Sequence, residues 1–196
     1  MKKIFALGCL VMSVMLMTAG CGRSNYTQET VTDEGVINQL NELAKENLKT
    51  YFDVNIDEEI EMTETATRYI PRDEASNNSE LLVLLGKQEK EPVEGQLYSY
   101  QIMVDEKTKA LRGLYYGIYS TVEPLNYTDE QLEQIGRDFI KTHQMIPEGV
   151  EVSLLEINKV KGAEYIQSLT YQYQEQYLLI NINLQDGKVM SFEYSG

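Results

Sequence analysis

The side chains able to do chemistry are unevenly supplied in this chain. It has one histidine, His143, and two cysteines, Cys9 and Cys21, against 31 carboxylates. A lone imidazole with no thiol beside it falls short of the ligand set of a zinc site. It also removes Ser-His-Asp and Cys-His catalysis, unless a lysine served as base. Spacing puts His143 at the C-terminal end of a helix, where the dipole favours a cationic ring, so a cap or surface role is expected. No Gly-x-x-x-x-Gly-Lys-Ser/Thr run is present to cradle phosphates. In DVNIDEEIEMTE, Asp53, Asn55, Asp57, Glu59 and Glu64 fall at the ligand positions of a calcium loop. Glu58, however, stands where the sharp turn needs glycine. Val54, Ile56, Ile60 and Met62 alternate instead, as in a strand with an acidic outer face. No metal or cofactor is expected. Carboxylate pairs could serve a glycosidase-type acid and base, but the chain has no tryptophan to form a sugar platform. A carboxylate-dependent cell-wall hydrolase is therefore the alternative reading rather than the main one. Tyrosine is plentiful, and Tyr98, Tyr100, Tyr171 and Tyr173 fall in predicted strands. They form a candidate binding face, although tyrosine is also simply a good strand residue.

The compartment follows from the first residues. Lys2 and Lys3 precede IFALGCLVMSVMLMTAG, an uncharged run with the layout of a secretory signal. It is short for a membrane span, which needs about 20 apolar residues. Thr18–Cys21, TAGC, resembles the bacterial lipobox, with Thr18 in place of the usual Leu or Val. The resemblance implies diacylglycerol on Cys21, cleavage between Gly20 and Cys21, and stable anchoring by more than one acyl chain. Cys9 lies in the segment removed, so no disulfide framework is expected. Residues 1–20 read as signal peptide and 21–31 as lipidated cysteine and polar tether. The net charge of −14 argues against nucleic acid, which needs a basic footprint, and against lying flat on anionic lipid. An extracytoplasmic domain tethered to the bacterial cell membrane is the expectation.

Beyond the tether the chain reads as two similar halves, 32–123 and 124–196. TDE occurs at Thr32–Glu34 and again at Thr128–Glu130, each time opening a helical pattern. Val36, Ile37, Leu40, Leu43, Ala44, Leu48 and Tyr51 keep helical spacing, as do Leu132, Ile135, Phe139 and Ile140. Thr128 and Gln131 match a capping box. Strands are predicted near 59–69, 80–88, 150–160 and 164–173. Each half then closes on a hairpin. Tyr98, Tyr100, Ile102 and Val104 alternate before DEKTK; Leu178, Ile180, Ile182 and Leu184 alternate before QDGK, where Asp186-Gly187 is a strong turn signal. Aligning the lysines pairs Lys109 with Lys188, Leu111 with Met190 and Tyr115 with Tyr194. The fold class expected is α+β: two tandem repeats, each one helix packed on an antiparallel β-meander. The two sheets, or the helices, would then pack together.

This pattern resembles the PepSY domain of metalloprotease propeptides and of the germination protein YpeB. YSYQIMVDEKTKAL, Tyr98 through Asp105 and Thr108 to Leu111, is the nearest match to its closing hairpin. It departs at Lys109, where the family usually has glycine. LLININLQDGKVM keeps Gly187 but lacks the preceding threonine. The resemblance implies an extracytoplasmic, non-catalytic binding module that acts on an envelope protein, with protease regulation one version. A solute-binding lipoprotein is a further alternative, and would need a deep cleft between the halves.

Overall fold

The structure, a computed structural model, describes residues 26–56, 62–71, 82–89 and 93–195. Helix α1 (Glu34–Phe52) starts where the Asp33 carboxylate accepts from the Val36 amide at 3.1 Å. It ends at Asp53, whose amide returns to the Lys49 carbonyl at 3.1 Å and whose left-handed backbone (φ 56°) turns the Val54 amide onto the Leu48 carbonyl at 3.2 Å. Helix α2 (Asp129–Thr142) opens with the expected capping box. Gln131 N donates to Thr128 Oγ1 at 3.3 Å, and Thr128 N donates to Gln131 Oε1 at 2.9 Å. This satisfies two amides that the first turn leaves unpaired. Leu40, Ala44 and Leu48 form the buried stripe of α1, and Leu132, Gly136 and Ile140 that of α2.

Among the described residues nine strands follow the order β1 (Tyr26–Thr30), β2 (Met62–Pro71), β3 (Leu82–Glu89), β4 (Leu97–Asp105) and β5 (Leu111–Ile118), then, after α2, β6 (Ser153–Lys159), β7 (Ile166–Tyr173), β8 (Gln176–Asn183) and β9 (Lys188–Ser195). They make one antiparallel sheet, ordered β1-β2-β3-β4-β5-β9-β8-β7-β6. This mixed α+β architecture agrees with the expected class. The two meanders do not stack as separate sheets, however. Each would end in an open ladder edge, at β5 and at β9, and pairing these edges satisfies both rows of backbone groups. The seam is short: Gly113 faces Glu193, Leu114 faces Phe192 and Tyr115 faces Ser191.

Residues 26–30, read from the sequence as tether, are edge strand β1. YTQET has no buried side, so no alternation announced it; the strand is held through its backbone ladder to β2. Arg68 adds to that hold. Its guanidinium grips Glu106 through two bonds of 2.9 and 2.7 Å and reaches Glu29 at 3.2 Å, and these carboxylates raise its pKa further.

The two closing hairpins share their turn geometry. Lys109 N bonds to Asp105 O and Gly187 N to Asn183 O, both at 2.8 Å. Lys109 (φ 59°) and Gly187 (φ 70°) both have left-handed backbones. Asp105 Oδ1 accepts from the Lys107 and Thr108 amides and from Thr108 Oγ1, which holds its pKa below the ordinary value. A bulge follows each turn, at Arg112 and at Met190. Lys109 therefore corresponds to Gly187, Leu111 to Val189 and Gly113 to Ser191. The pairing drawn by matching lysines is one residue out of step.

Candidate functional site: the helix-free face of the sheet

Both helices lie on one face of the sheet. At their C-terminal ends Tyr51 and Phe52 of α1 and Phe139 of α2 pack around Phe192 of β9, with ring centroids 4.9 to 6.1 Å apart. Tyr116 of β5 meets Phe52 at 4.7 Å. The three-pair seam is thus plated by aromatic rings. His143, the C-cap of α2, sits between Tyr51 (5.2 Å) and Phe139 (4.5 Å). Burial lowers its pKa, so the cationic cap suggested by the dipole gives way to a neutral ring in an apolar cluster.

The four candidate tyrosines do not form an exposed face. Tyr98, Tyr100, Tyr171 and Tyr173 are all buried, at 7%, 1%, 0% and 6% exposure. Strand alternation tells which side a residue takes but not what covers that side. Tyr171 lies under α2, donating to the Glu133 carbonyl at 3.3 Å, and burial pushes its pKa up to about 12. Tyr100 opposes Tyr116 on the same helix-covered face. Tyr98 leaves that face, because a bulge between Leu97 and Ser99 turns it to the other side. Among the other sequence-derived positions, Gly20, Cys21 and residues 57–61 lie outside the described residues. Asp53 caps α1 and pairs with Lys49. Among the described residues, no three His, Cys, Asp or Glu side chains come together, and no helix is long and apolar enough to cross a membrane.

The helix-free face carries a feature the sequence did not reveal. Six residues stand directly opposite one another across six strands: Gln101, Tyr115, Ser191, Asn181, Ser168 and Asn158. All are uncharged and polar, and the first five are buried. Asn181 Nδ2 donates to Ser191 Oγ at 2.7 Å. The Tyr115 hydroxyl lies 3.2 Å from Ser99 Oγ and 3.4 Å from the Tyr98 hydroxyl, and burial raises its pKa well above the ordinary value. A Cβ on Gly117 would strike this hydroxyl group, 2.8 Å from Ser99 Oγ. Burial, and secondarily the nearby Tyr98, raises the pKa of Tyr165, just before β7.

A second feature lies where β4 begins and β5 ends. Val93, Val122 and Leu125 are 50%, 55% and 53% exposed, and Ile118 is partly so. Backbone bonds hold the segment in place: Gly95 N to Tyr119 O at 2.8 Å and Leu125 N to Leu184 O at 2.8 Å. The Thr121 amide donates to both oxygens of Glu94, and Gln185 Nε2 donates to the Val122 carbonyl.

The described residues thus form an α+β protein with two helices on one face of a nine-stranded antiparallel sheet. No family model matches the chain, and no curated protein does. Among solved structures it is similar to the Bacillus megaterium YpeB C-terminal domain, at 11% sequence identity and a TM-score of 0.49, over 84% of this chain and 63% of that one. The chain therefore spans less than two thirds of the length of that neighbour.

Proposed function

We propose that the chain is a lipid-anchored, extracytoplasmic and non-catalytic binding module that engages an envelope protein. In this reading Cys21 carries the anchor, and the two helix-plus-four-strand units are tandem PepSY-like repeats. The reading is supported most by the exposed apolar side chains of Val93, Ile118, Val122 and Leu125, taken together as a cluster on the segments where β4 begins and β5 ends. Exposed apolar side chains on a segment pinned by backbone hydrogen bonds favour docking, because little order remains to be imposed on binding. Glu94 and Glu123 flank the cluster, and the whole chain is acidic, so the complementary partner surface is apolar with a basic rim. The binding role moves from the four buried tyrosines to this cluster. The test is capture of envelope proteins by the full-length chain in detergent. A saturable partner should be lost with Val122→Ser/Leu125→Ser, while the circular dichroism spectrum stays unchanged. Retention of the same partner by that variant, or no partner at all, would sink the reading.

A further inference from the structure

The connection from α2 to β6 leaves an open groove against the end of that helix. Its volume is about 530 Å³, within the roughly 300–1,000 Å³ of small-ligand sites. Ile140 and Ile146 are buried and form its floor, with Val150 and Val152 half-buried beside them. Lys141, in the last turn of α2, and Glu148, in the turn that follows, are exposed at its rim. The groove thus combines an apolar floor, access from solvent and one charge of each sign. Among the described residues neither Lys141 nor Glu148 forms an ion pair, with the other or with a third residue. An ammonium and a carboxylate that line one groove without meeting are left for a ligand carrying the opposite charges.

The walls are fixed before any ligand arrives. Arg137 Nη1 donates to the Val152 carbonyl at 3.4 Å, tying the approach to β6 onto α2. The Tyr194 hydroxyl donates to the Met145 carbonyl at 3.1 Å, and Val150 N to the Pro147 carbonyl at 3.3 Å. Such order lowers the cost of binding. Gln144 adds an amide to the lining, on a left-handed backbone (φ 49°) where a helix end usually places glycine. Opposite charges around an apolar floor select a zwitterion with an apolar body. A polyanion would meet Glu148, and a fatty acyl chain would leave both charges unmatched.

We propose that the groove binds a short peptide of two or three residues, with apolar side chains and free termini. Its carboxylate pairs with Lys141 and its ammonium with Glu148. A peptide group meets the Gln144 amide, and the side chains cover Ile146 and Val150. The site shares no residue with the protein-docking cluster, so the two stand or fall separately.

The experiment is amide-shift titration of the full-length chain in detergent, with the tripeptide Leu-Ala-Leu as probe. Saturable shifts at Gln144, Glu148 and Val150 are expected. Amidating the peptide's carboxylate or acetylating its amine should each weaken binding about threefold, the size of one exposed charge pair. Lys141→Gln and Glu148→Gln, at exposed positions that leave the fold intact, should weaken it by the same factor. Amidation should then cost nothing further in Lys141→Gln, nor acetylation in Glu148→Gln. Gly-Gly-Gly, which brings the charges without apolar side chains, should not bind. No saturable shift up to on the order of 10 mM overturns the proposal. So does equal binding of Leu-Ala-Leu and Gly-Gly-Gly, or a loss on capping that the variants leave unchanged. A peptide capped at both ends that binds as tightly as the free one assigns the groove to an internal segment of a protein chain, and also overturns it.

Discussion

Gly136 decides how closely α2 approaches the sheet, and replacing it with alanine sets two effects of known size against each other. In an exposed helix the change would stabilise by about 1 kcal/mol. Here the added Cβ would fall on the Tyr171 hydroxyl and lie 3.1 Å from both Tyr171 Cζ and Leu169 Cδ2. Tyr171 is fully buried, so its ring has no solvent to swing into. Overpacking of this kind costs about 1–3 kcal/mol. Losing the Tyr171 bond to the Glu133 carbonyl adds about 1 kcal/mol. Against the gain in propensity, Gly136→Ala should destabilise by about 1–3 kcal/mol. Urea unfolding followed by circular dichroism would record this as a lower midpoint with an unchanged slope. Gly136→Ala/Tyr171→Phe should recover about 1 kcal/mol relative to the sum of the single changes, since it removes the obstructing oxygen. A midpoint raised by Gly136→Ala, or strict additivity in the double variant, would refute the reasoning.

Two further outcomes follow from local geometry. Burial lowers the pKa of His143 from 6.5 in the folded state, so the unfolded chain binds the proton more readily. The stability this contributes is present above 6.5 and is lost as pH falls from there toward the folded value. His143→Phe should flatten that part of a plot of stability against pH; an unchanged slope between about pH 7 and 5 would show that other groups set it. At the hairpins the same left-handed position should respond oppositely. Lys109→Gly relieves a side chain from a backbone costing about 1 kcal/mol and should leave melting unchanged or slightly raised. Gly187→Lys should lower it, because a Cβ there meets the Tyr127 hydroxyl and lies 3.0 Å from its Cζ; equal responses at the two sites would contradict the shared geometry.

What the sequence disclosed was local. Thr128 and Gln131 lie three residues apart, so their reciprocal bonds could be read directly. Asp186-Gly187 announced its turn for the same reason. The turn at DEKTK was legible too, but lysine seldom takes a left-handed backbone, so the equivalence of Lys109 with Gly187 was not, and matching the lysines put the two hairpins one residue out of step. The single sheet was out of reach, since Tyr115 meets Ser191 only after both meanders exist. The tyrosines misled because alternation specifies a side and not its cover. The polar row was invisible because its members are single residues on separate strands, brought together by register alone.

The strand order has a consequence for how the protein is made. Strand β9, the last of the nine to be synthesised, sits in the interior of the sheet and not at its rim. A growing chain can complete β1 to β5 early, but it must then carry the β5 edge, including Leu114 and Tyr116, without a neighbour until the final strand emerges. Joining residues so distant along the chain is a slow step, and an open apolar edge during that interval invites pairing with another copy. Folding of this protein should therefore depend on how soon β9 follows β5 and on whatever shields β5 in the interval.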